Sequence, residues 1–432
     1  MIKWKKAWFL ESERMIDPSL RFELQHIRTR SVDAEQASIP VIVQLKEETD
    51  EQFVHELYEL CAERSCNAVD GYLSLLSGFY GRIHPETIRS LSEYDQVAHI
   101  FYDRKVQLFL DVAKKTTGSL DVQLQKGLTG KGVTIVIIDT GIHPHKDLIE
   151  PKNRIIGFHD LIHGKKAPYD DQGHGTHCAG SAAGNGRLSQ GLYMGAAPEA
   201  NLVGIKALDA EGGGSLSNVI RGIEWCVKKR DEYGIRIISL SLGSPATMPY
   251  RQDPLAQAAE KAWHHGIVVV AAAGNEGPYA GTISTPGNDP VIITVGAADD
   301  KNTKSHQDDE IAPFSSRGPT PDGLVKPDIY APGADICSLN VRGSILDQQL
   351  PENKVNDDYI RLSGTSMATP FLAGVIAQLL EANSQLSPND IKCILTNTSK
   401  EIKGDQAGFI DVKKAVKLAK QYVKFQKNFT HP

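Results

Sequence analysis

Five short apolar runs constrain this chain more than any other feature. GVTIVIID (132–139), ANLVGIKAL (200–208), IRIISLSL (235–242), GIVVVAAAG (266–274) and PVIITVGAA (290–298) are continuous and rich in small and β-branched residues. A strand with one wet face alternates polar and apolar residues. An unbroken run has both faces covered, as in a parallel sheet lying between layers of helix. Helical patterns fill two of the gaps, at 215–231 and 253–265. The predicted fold is therefore α/β with a doubly wound parallel sheet. Sites in such sheets lie at the carboxyl ends of the strands. Asp139, Gly243 and Asn275 fall at or just past such ends and are expected on one rim. A further helix is predicted in SGTSMATPFLAGVIAQLLEAN (363–383), whose body is so apolar that it should be buried. Residues 341–360, just before it, read as a polar surface loop.

The chain has 432 residues, enough for two or three units. Upstream of the parallel pattern, residues 39–110 read as a small α/β domain with an open sheet and two helices. Its strands are IPVIVQL (39–45), LSLLSGFYGRI (73–83) and VAHIFYDRKVQLF (97–109). Its helices run from Thr49 to about Arg64 and from Pro85, a residue suited to a first helical turn. Residues 1–38 form a charged, weakly patterned extension, read as a short helix or an arm. Residues 111–131 read as a polar linker, and 132–432 as the main domain.

Composition narrows the function classes. Hydrophobic residues make up 41% and charged residues 23%, and the net charge of −6 argues against a nucleic-acid partner. No run approaches the ~20 apolar residues of a membrane span. The N-terminal MIKWKKAWFLESERMIDPSL lacks the ~7–15-residue apolar core of a secretory signal. The expected location is the cytoplasm, with release by non-classical export or lysis as the route outward. The six cysteines are scattered without zinc-type CxxC spacing, so reduced thiols are expected.

Three segments carry chemistry. VIIDTGIHPHKDL places Asp139 at a strand end, DDQGHGTHCAGS places His174 at a helix start, and SGTSMATP places Ser366 after a Gly-Thr turn at a helix N-terminus. A serine hydroxyl is a weak nucleophile at neutral pH. It needs a base that can take its proton, and the base needs a partner to orient it and stabilise its cation. Histidine and a carboxylate at a rigid strand end supply those roles. Taken singly, Asp139 reads as a turn residue, His174 as a structural hydrogen-bonder or metal ligand, and Ser366 as a helix cap. Together they read as a catalytic triad.

DTGI, HGTHCAG, AAAGNEGP and GTSMATP resemble the four signature blocks of the subtilisin-like serine proteases, over about residues 120–420. The order Asp, His, Ser is that of subtilisin. PYDDQGHGTHCAG, SSRGPT, KPDIYAPG and GTSMATP are most similar to the subtilases of bacilli that lack a signal peptide. The resemblance implies a serine endopeptidase made as a self-processing zymogen, acting on proteins or peptides, with no nucleic-acid or membrane partner. The alternative is a catalytically silent subtilase used as a binding or signalling scaffold.

By resemblance, Asn275 supplies the side-chain donor of the oxyanion hole and Thr365 orients it. Gly212, Gly213 and Gly214 form one edge that pairs with an extended substrate, and Ser241, Leu242 and Gly243 form the other. Ala273 and Gly274 wall the pocket for the residue before the cut bond. Ser284 stands at its base, which favours a smaller or more polar pocket, and the Thr285–Pro286 bond is expected to be cis. The unit at 39–110 resembles an inhibitory, chaperoning prosegment, a partner for the enzyme made from its own chain, with autocleavage between about 105 and 118. Phe371, where many secreted relatives have histidine, reads as space-filling. Cys178 reads as core packing, with thiol sensitivity of the site as the other reading. The chemistry implied needs no cofactor. Structural calcium is common in secreted subtilases. The loop AAGNGRLSQGLYMG lacks a clear set of oxygen ligands for it, while the acidic loop 299–310 offers carboxylates.

Overall fold

The computed structural model describes residues 8–11, 15–29, 37–46, 51–108, 122–123, 126–301 and 309–428. The chain divides into two compact units, one of residues 1–105 with 215–224 and the other of 106–214 with 225–432.

In the first unit the elements are α1 (Pro18–Thr29), β1 (Ile39–Leu45), α2 (Glu51–Ala62), β2 (Ala68–Leu73), β3 (Gly78–Ile83), α3 (Pro85–Leu91) and β4 (Val97–Tyr102). The strands form an antiparallel sheet in the order β2-β3-β1-β4. Three details differ from the sequence reading, the first being that the strand expected over 97–109 ends at Tyr102, with Lys105–Leu108 a separate strand in another sheet. The run 73–83 is a 3₁₀ turn at Ser74–Leu76, then Ser77 in the left-handed region (φ 49°), then β3. The extra strand β2 escapes notice because most of AVDGYL faces water and shows no apolar run.

The two helices expected in 39–110 are α2 and α3, and α1 lies in the extension before them. Leu20 and Leu24 of α1 are fully buried. They share one core with Phe9, Ile16, Val41, Val43, Leu57, Ile88 and Ile100. The segment before α1 also covers the outer edge of β4. The Ile100 N–H donates to the Met15 carbonyl (2.8 Å), the Asp17 N–H donates to the Ile100 carbonyl (3.0 Å), and the Asp17 carboxylate accepts the Tyr102 N–H (3.0 Å). An uncovered edge strand is a template for unwanted pairing, and this segment removes it.

The second unit contains β5 (Lys105–Leu108), β6 (Thr134–Asp139), β7 (Ile155–Asp160), α4 (His174–Ala183), β8 (Asn201–Lys206), β9 (Gly213–Ser215), β10 (Ile235–Leu240), β11 (Leu242–Pro245), α5 (Pro254–His264), β12 (Val268–Ala272), β13 (Ser284–Thr285), β14 (Ile293–Asp299), β15 (Glu310–Ile311), β16 (Ile329–Pro332) and α6 (Thr365–Ala382). The main sheet has the order β15-β14-β12-β10-β6-β8-β7, with β16 also on β14. Every pairing is parallel except that of β15. All five predicted strands are present. β7 was missed because it is half exposed, and β16 because it has only four residues.

From β6 the chain builds outward first to β8 and β7, then back to β10 and beyond, so β6 is the topological switch point. Its carboxyl end is where such sheets place a site. α6 packs against α4 and the central strands, and every residue from Thr365 to Leu380 is buried. The expected surface loop at 341–360 is instead structured. It holds a helical turn at Ile345–Gln349 and the strand Lys354–Asn356, which pairs in a three-stranded sheet with Tyr359–Leu362. Leu346, Tyr359 and Ile360 are its buried anchors.

The expected autocleavage region lies outside the described residues beyond Leu108. The linker reading is superseded toward its end. Gln123 Nε2 donates to the Gly195 and Ala196 carbonyls (2.8 Å each), and the Thr129 and Gly130 N–H groups both donate to Glu381 (2.7 Å each).

Candidate active site

Asp139 ends β6 and is fully buried. His174 opens α4, and its Nδ1 stands 2.8 and 3.0 Å from the two Asp139 carboxylate oxygens. The helix can come this close to the strand because residue 175 is glycine. A Cβ there would lie 2.2 Å from the Gly141 carbonyl oxygen. Nδ1 thus donates to the carboxylate and Nε2 is left as the acceptor, buried and without a partner among the described residues. Burial alone would lower the basicity of this imidazole. The Asp139 charge, with a smaller contribution from Cys178, reverses that and holds its pKa well above the ordinary value. One turn on, burial followed by the His174 charge pushes His177 down to about 3. That ring stays neutral, with Nε2 3.0 Å from the Ile336 carbonyl oxygen.

Ser366 lies in the first turn of α6, fully buried. Its hydroxyl donates to the Ser241 carbonyl (2.9 Å), and the Ser241 hydroxyl donates to the Ser366 carbonyl (3.0 Å). The continuous Asp–His–Ser line expected from sequence is therefore present in its Asp139–His174 half, while the serine hydroxyl, a free rotor, points to Ser241. Hydrogen bonds of this kind often align only once substrate is bound. Cys178 bridges the two halves. Its Sγ is 3.7 Å from His174 Nδ1 and 3.5 Å from the Ser366 carbonyl oxygen, and burial raises its pKa.

Asn275 follows β12. Its Oδ1 accepts from the N–H (3.0 Å) and the hydroxyl (2.9 Å) of Thr365, and its Nδ2 is buried with no partner among the described residues. With the carbonyl end clamped, the donor end is free for a ligand atom. Thr365 therefore touches Asn275 as expected.

The residues anticipated as substrate edges lie in a second, small sheet of order β13-β11-β5-β9. Gly213 and Gly214 are in β9, with Gly212 before it at φ 79°. Leu242 and Gly243 are in β11, and Ser241 precedes it. Ser284 in β13 donates its N–H to the Ala273 carbonyl (2.9 Å). It faces Gly274, where a Cβ would meet the Ser284 hydroxyl oxygen at 2.6 Å and that of Ser316 at 2.8 Å. Thr285–Pro286 is cis, and Phe371 is buried.

Residues 130–423 match the profile of the Subtilase family. The chain belongs to the subtilase family. It is 47% identical over 324 residues to the serine protease AprX of Bacillus subtilis, covering 73% of this chain and 72% of that protein. It is 38% identical over 275 residues to subtilisin Savinase of Lederbergia lenta, covering 63% of this chain and 86% of that protein. Among solved structures, fervidolysin of Fervidobacterium pennivorans, a keratinolytic enzyme related to subtilisin, superposes with a TM-score of 0.69 at 21% identity. The match covers 90% of this chain and 62% of that one. The fold is thus subtilisin-like, and the chain is a subtilisin-like serine protease.

Several residues of this subtilase site were not singled out from sequence. Asp170 accepts from the Thr140 hydroxyl (2.9 Å), the Gly173 N–H (2.8 Å), and the N–H and hydroxyl of Thr176 (2.9 and 2.7 Å). Thr140 donates its N–H to Asp139 (2.8 Å) and accepts the Gly175 N–H (2.9 Å). The Asp139 turn is therefore tied to the first turn of the His174 helix. Lys206, fully buried, donates to the Thr140 carbonyl (2.7 Å) and to Asp171 (2.5 Å). The signal was the carboxylate pair in PYDDQGHGTH, three and four residues before His174.

A calcium ion fits the 184–195 loop poorly. The nearest buried carboxylate, Asp147, already accepts the Leu188 N–H (2.9 Å) and the Tyr359 hydroxyl (2.5 Å), so donors stand where a cation needs oxygen. In the 299–310 loop, Lys301 already pairs with Asp299 and Glu310, and 302–308 lie outside the described residues. Asp139, His174 and Cys178 are close enough to share a metal, but His174 Nδ1 is committed to Asp139. Among the described residues, no helix is long and apolar enough to cross a membrane.

Proposed function

We propose that the chain is an endopeptidase that cuts peptide bonds through an acyl-enzyme and is made as a zymogen that processes itself. The Ser366 hydroxyl attacks the carbonyl carbon of an extended substrate while His174 Nε2 takes its proton. Asp139 holds the imidazole in the tautomer that leaves Nε2 free and stabilises the cation that forms. The negative oxygen of the tetrahedral intermediate is met by Asn275 Nδ2 and the Ser366 N–H, at the positive end of α6. His174 then returns the proton to the leaving nitrogen, and water releases the acyl group. The observation that carries this reading is the short Asp139–His174 pair beside a buried serine, with Asn275 clamped at one end and open at the other.

Self-processing is supported by β5. This segment precedes the main domain in the chain, yet it lies as a strand between β11 and β9, where an extended substrate would pair. Residues 39–110 then act as an inhibitory prosegment whose own tail is the first substrate, and the buried side chains of Phe9, Leu20 and Leu24 make the N-terminal extension part of that module. We place the enzyme in the cytoplasm, with proteins and peptides as substrates. The test is Ser366→Ala in the full chain. It should accumulate as the uncut 47.2 kDa species, without turnover and without labelling by a fluorophosphonate probe. A Ser366→Ala chain that still processed itself would end the proposal.

A further inference from the structure

In two places within the second unit, backbone carbonyls converge on a positive side chain. The first place surrounds Arg154, which is buried. Its Nη1 donates to the Ala183 carbonyl at the end of α4 (2.5 Å) and to the Ala200 carbonyl just before β8 (3.3 Å), and its Nη2 donates to the Asp147 carbonyl. Three separate stretches are thereby tied together at the base of the 184–195 loop. Burial lowers the pKa of this guanidinium to about 10, with the Asp147 and Glu199 charges opposing, so it stays charged at neutral pH.

The second place lies at the start of β14. Lys392, in the helix Pro388–Thr398, donates through Nζ to the carbonyls of Pro290 (2.7 Å), Val291 (3.3 Å) and Ile292 (2.7 Å), and it pairs with Asp328 (2.9 Å). Lys326, also buried, donates to the Thr294 hydroxyl oxygen (2.9 Å), the Ile292 carbonyl (3.4 Å) and the other Asp328 oxygen (2.7 Å). Burial lowers the pKa of the Lys326 ammonium to about 8, with Asp328 opposing, and it too is charged at neutral pH.

Successive carbonyls turned to one point beside a carboxylate form the oxygen set that a hard cation takes. Here the point is filled by nitrogen at hydrogen-bond distance. A calcium ion needs about six to eight oxygens at roughly 2.3–2.6 Å. To reach them it would have to displace two ammonium groups that repel it. We propose that Arg154, Lys326 and Lys392 serve as covalently attached structural cations, and that this chain therefore holds its fold without calcium. Removing one of them takes donors from buried carbonyls and leaves a carboxylate less well paired, which destabilises far more than losing an exposed ion pair.

The test is a thermal melt of the full chain carrying Ser366→Ala, so that self-digestion does not blur the transition. An ion held at about a hundred times its Kd would raise Tm by about 5 °C or more in a domain of this size. Tm in excess EDTA should instead match Tm in millimolar calcium within about 2 °C. A drop of about 5 °C or more in EDTA would overturn the proposal. Lys392→Met in the same background removes the ammonium and keeps most of the stem. Its Tm should fall by about 4 °C or more in EDTA. Millimolar calcium should recover about half of that loss, because the vacated oxygens suit a hard cation, while choline chloride at equal ionic strength recovers none. An unshifted Tm in EDTA would deny the ammonium a structural role, and a loss that calcium does not recover would reduce Lys392 to packing. Either result overturns the assignment.

Discussion

Asn275→Ala separates the donor at the oxyanion from everything else that holds the site. The amide is anchored through Oδ1 by two hydrogen bonds from Thr365, and its Nδ2 has no partner among the described residues. A donor so placed contributes little to the ground state and acts on charge that develops during reaction. Losing the corresponding donor in a subtilisin costs ~10²–10³ in kcat, or about 2.7–4 kcal/mol of barrier. We expect that scale here, with KM within about twofold. The substitution also strips an acceptor from the buried Thr365 N–H, at a stability cost of about 1–3 kcal/mol. Rates must therefore be normalised to folded, titrated protein. The assay is steady-state hydrolysis of a peptide p-nitroanilide, with a thermal melt on the same sample. Asn275→Asp keeps the acceptor for Thr365 but puts negative charge where the amide donates, so it should lose at least as much rate while melting closer to wild type. A normalised kcat within about threefold of wild type for either variant would refute the reasoning.

Three further outcomes follow from the same geometry. Because the Asp139 charge outweighs burial and holds His174 well above the ordinary imidazole range, with His177 kept neutral, kcat/KM should rise on an acid limb above pH ~6.5, since only neutral imidazole takes the serine proton. A limb at or below that value would contradict it. Asp170→Asn replaces an acceptor of five hydrogen bonds with a group that offers one acceptor oxygen, and should lower kcat by roughly tenfold and move that limb to lower pH as the Asp139–His174 pair loosens, an effect simple destabilisation would not give. Leu24→Ala in α1 should destabilise the first unit by about 2–5 kcal/mol, read as faster amide exchange in β1 and β4; unchanged exchange would remove α1 from that core.

The parallel sheet was legible because its central strands are apolar on both faces, and β6, β8, β10, β12 and β14 each appear as an unbroken run. β7 and β2 were not, because their exposed faces dilute the pattern to that of a loop. The N-terminal extension hid for another reason. Ile16, Leu20 and Leu24 are spaced at four residues and buried, but the charged residues between them mask the stripe. At the site, Asp139, His174, Asn275 and Ser366 stood out because each sits in a short glycine-rich block. Asp170 and Thr140 act through hydrogen bonds that depend on a fold bringing 140, 170 and 176 together, and no local pattern announces that.

The helix that carries Ser366 runs with its side chains in the interior from Thr365 to Leu380. The nucleophile is thus mounted on the part of the molecule that should be last to loosen on heating. Turnover can then serve as a thermometer for the interior as a whole, and any screen that retains activity after a heat challenge will also enrich for well-packed variants.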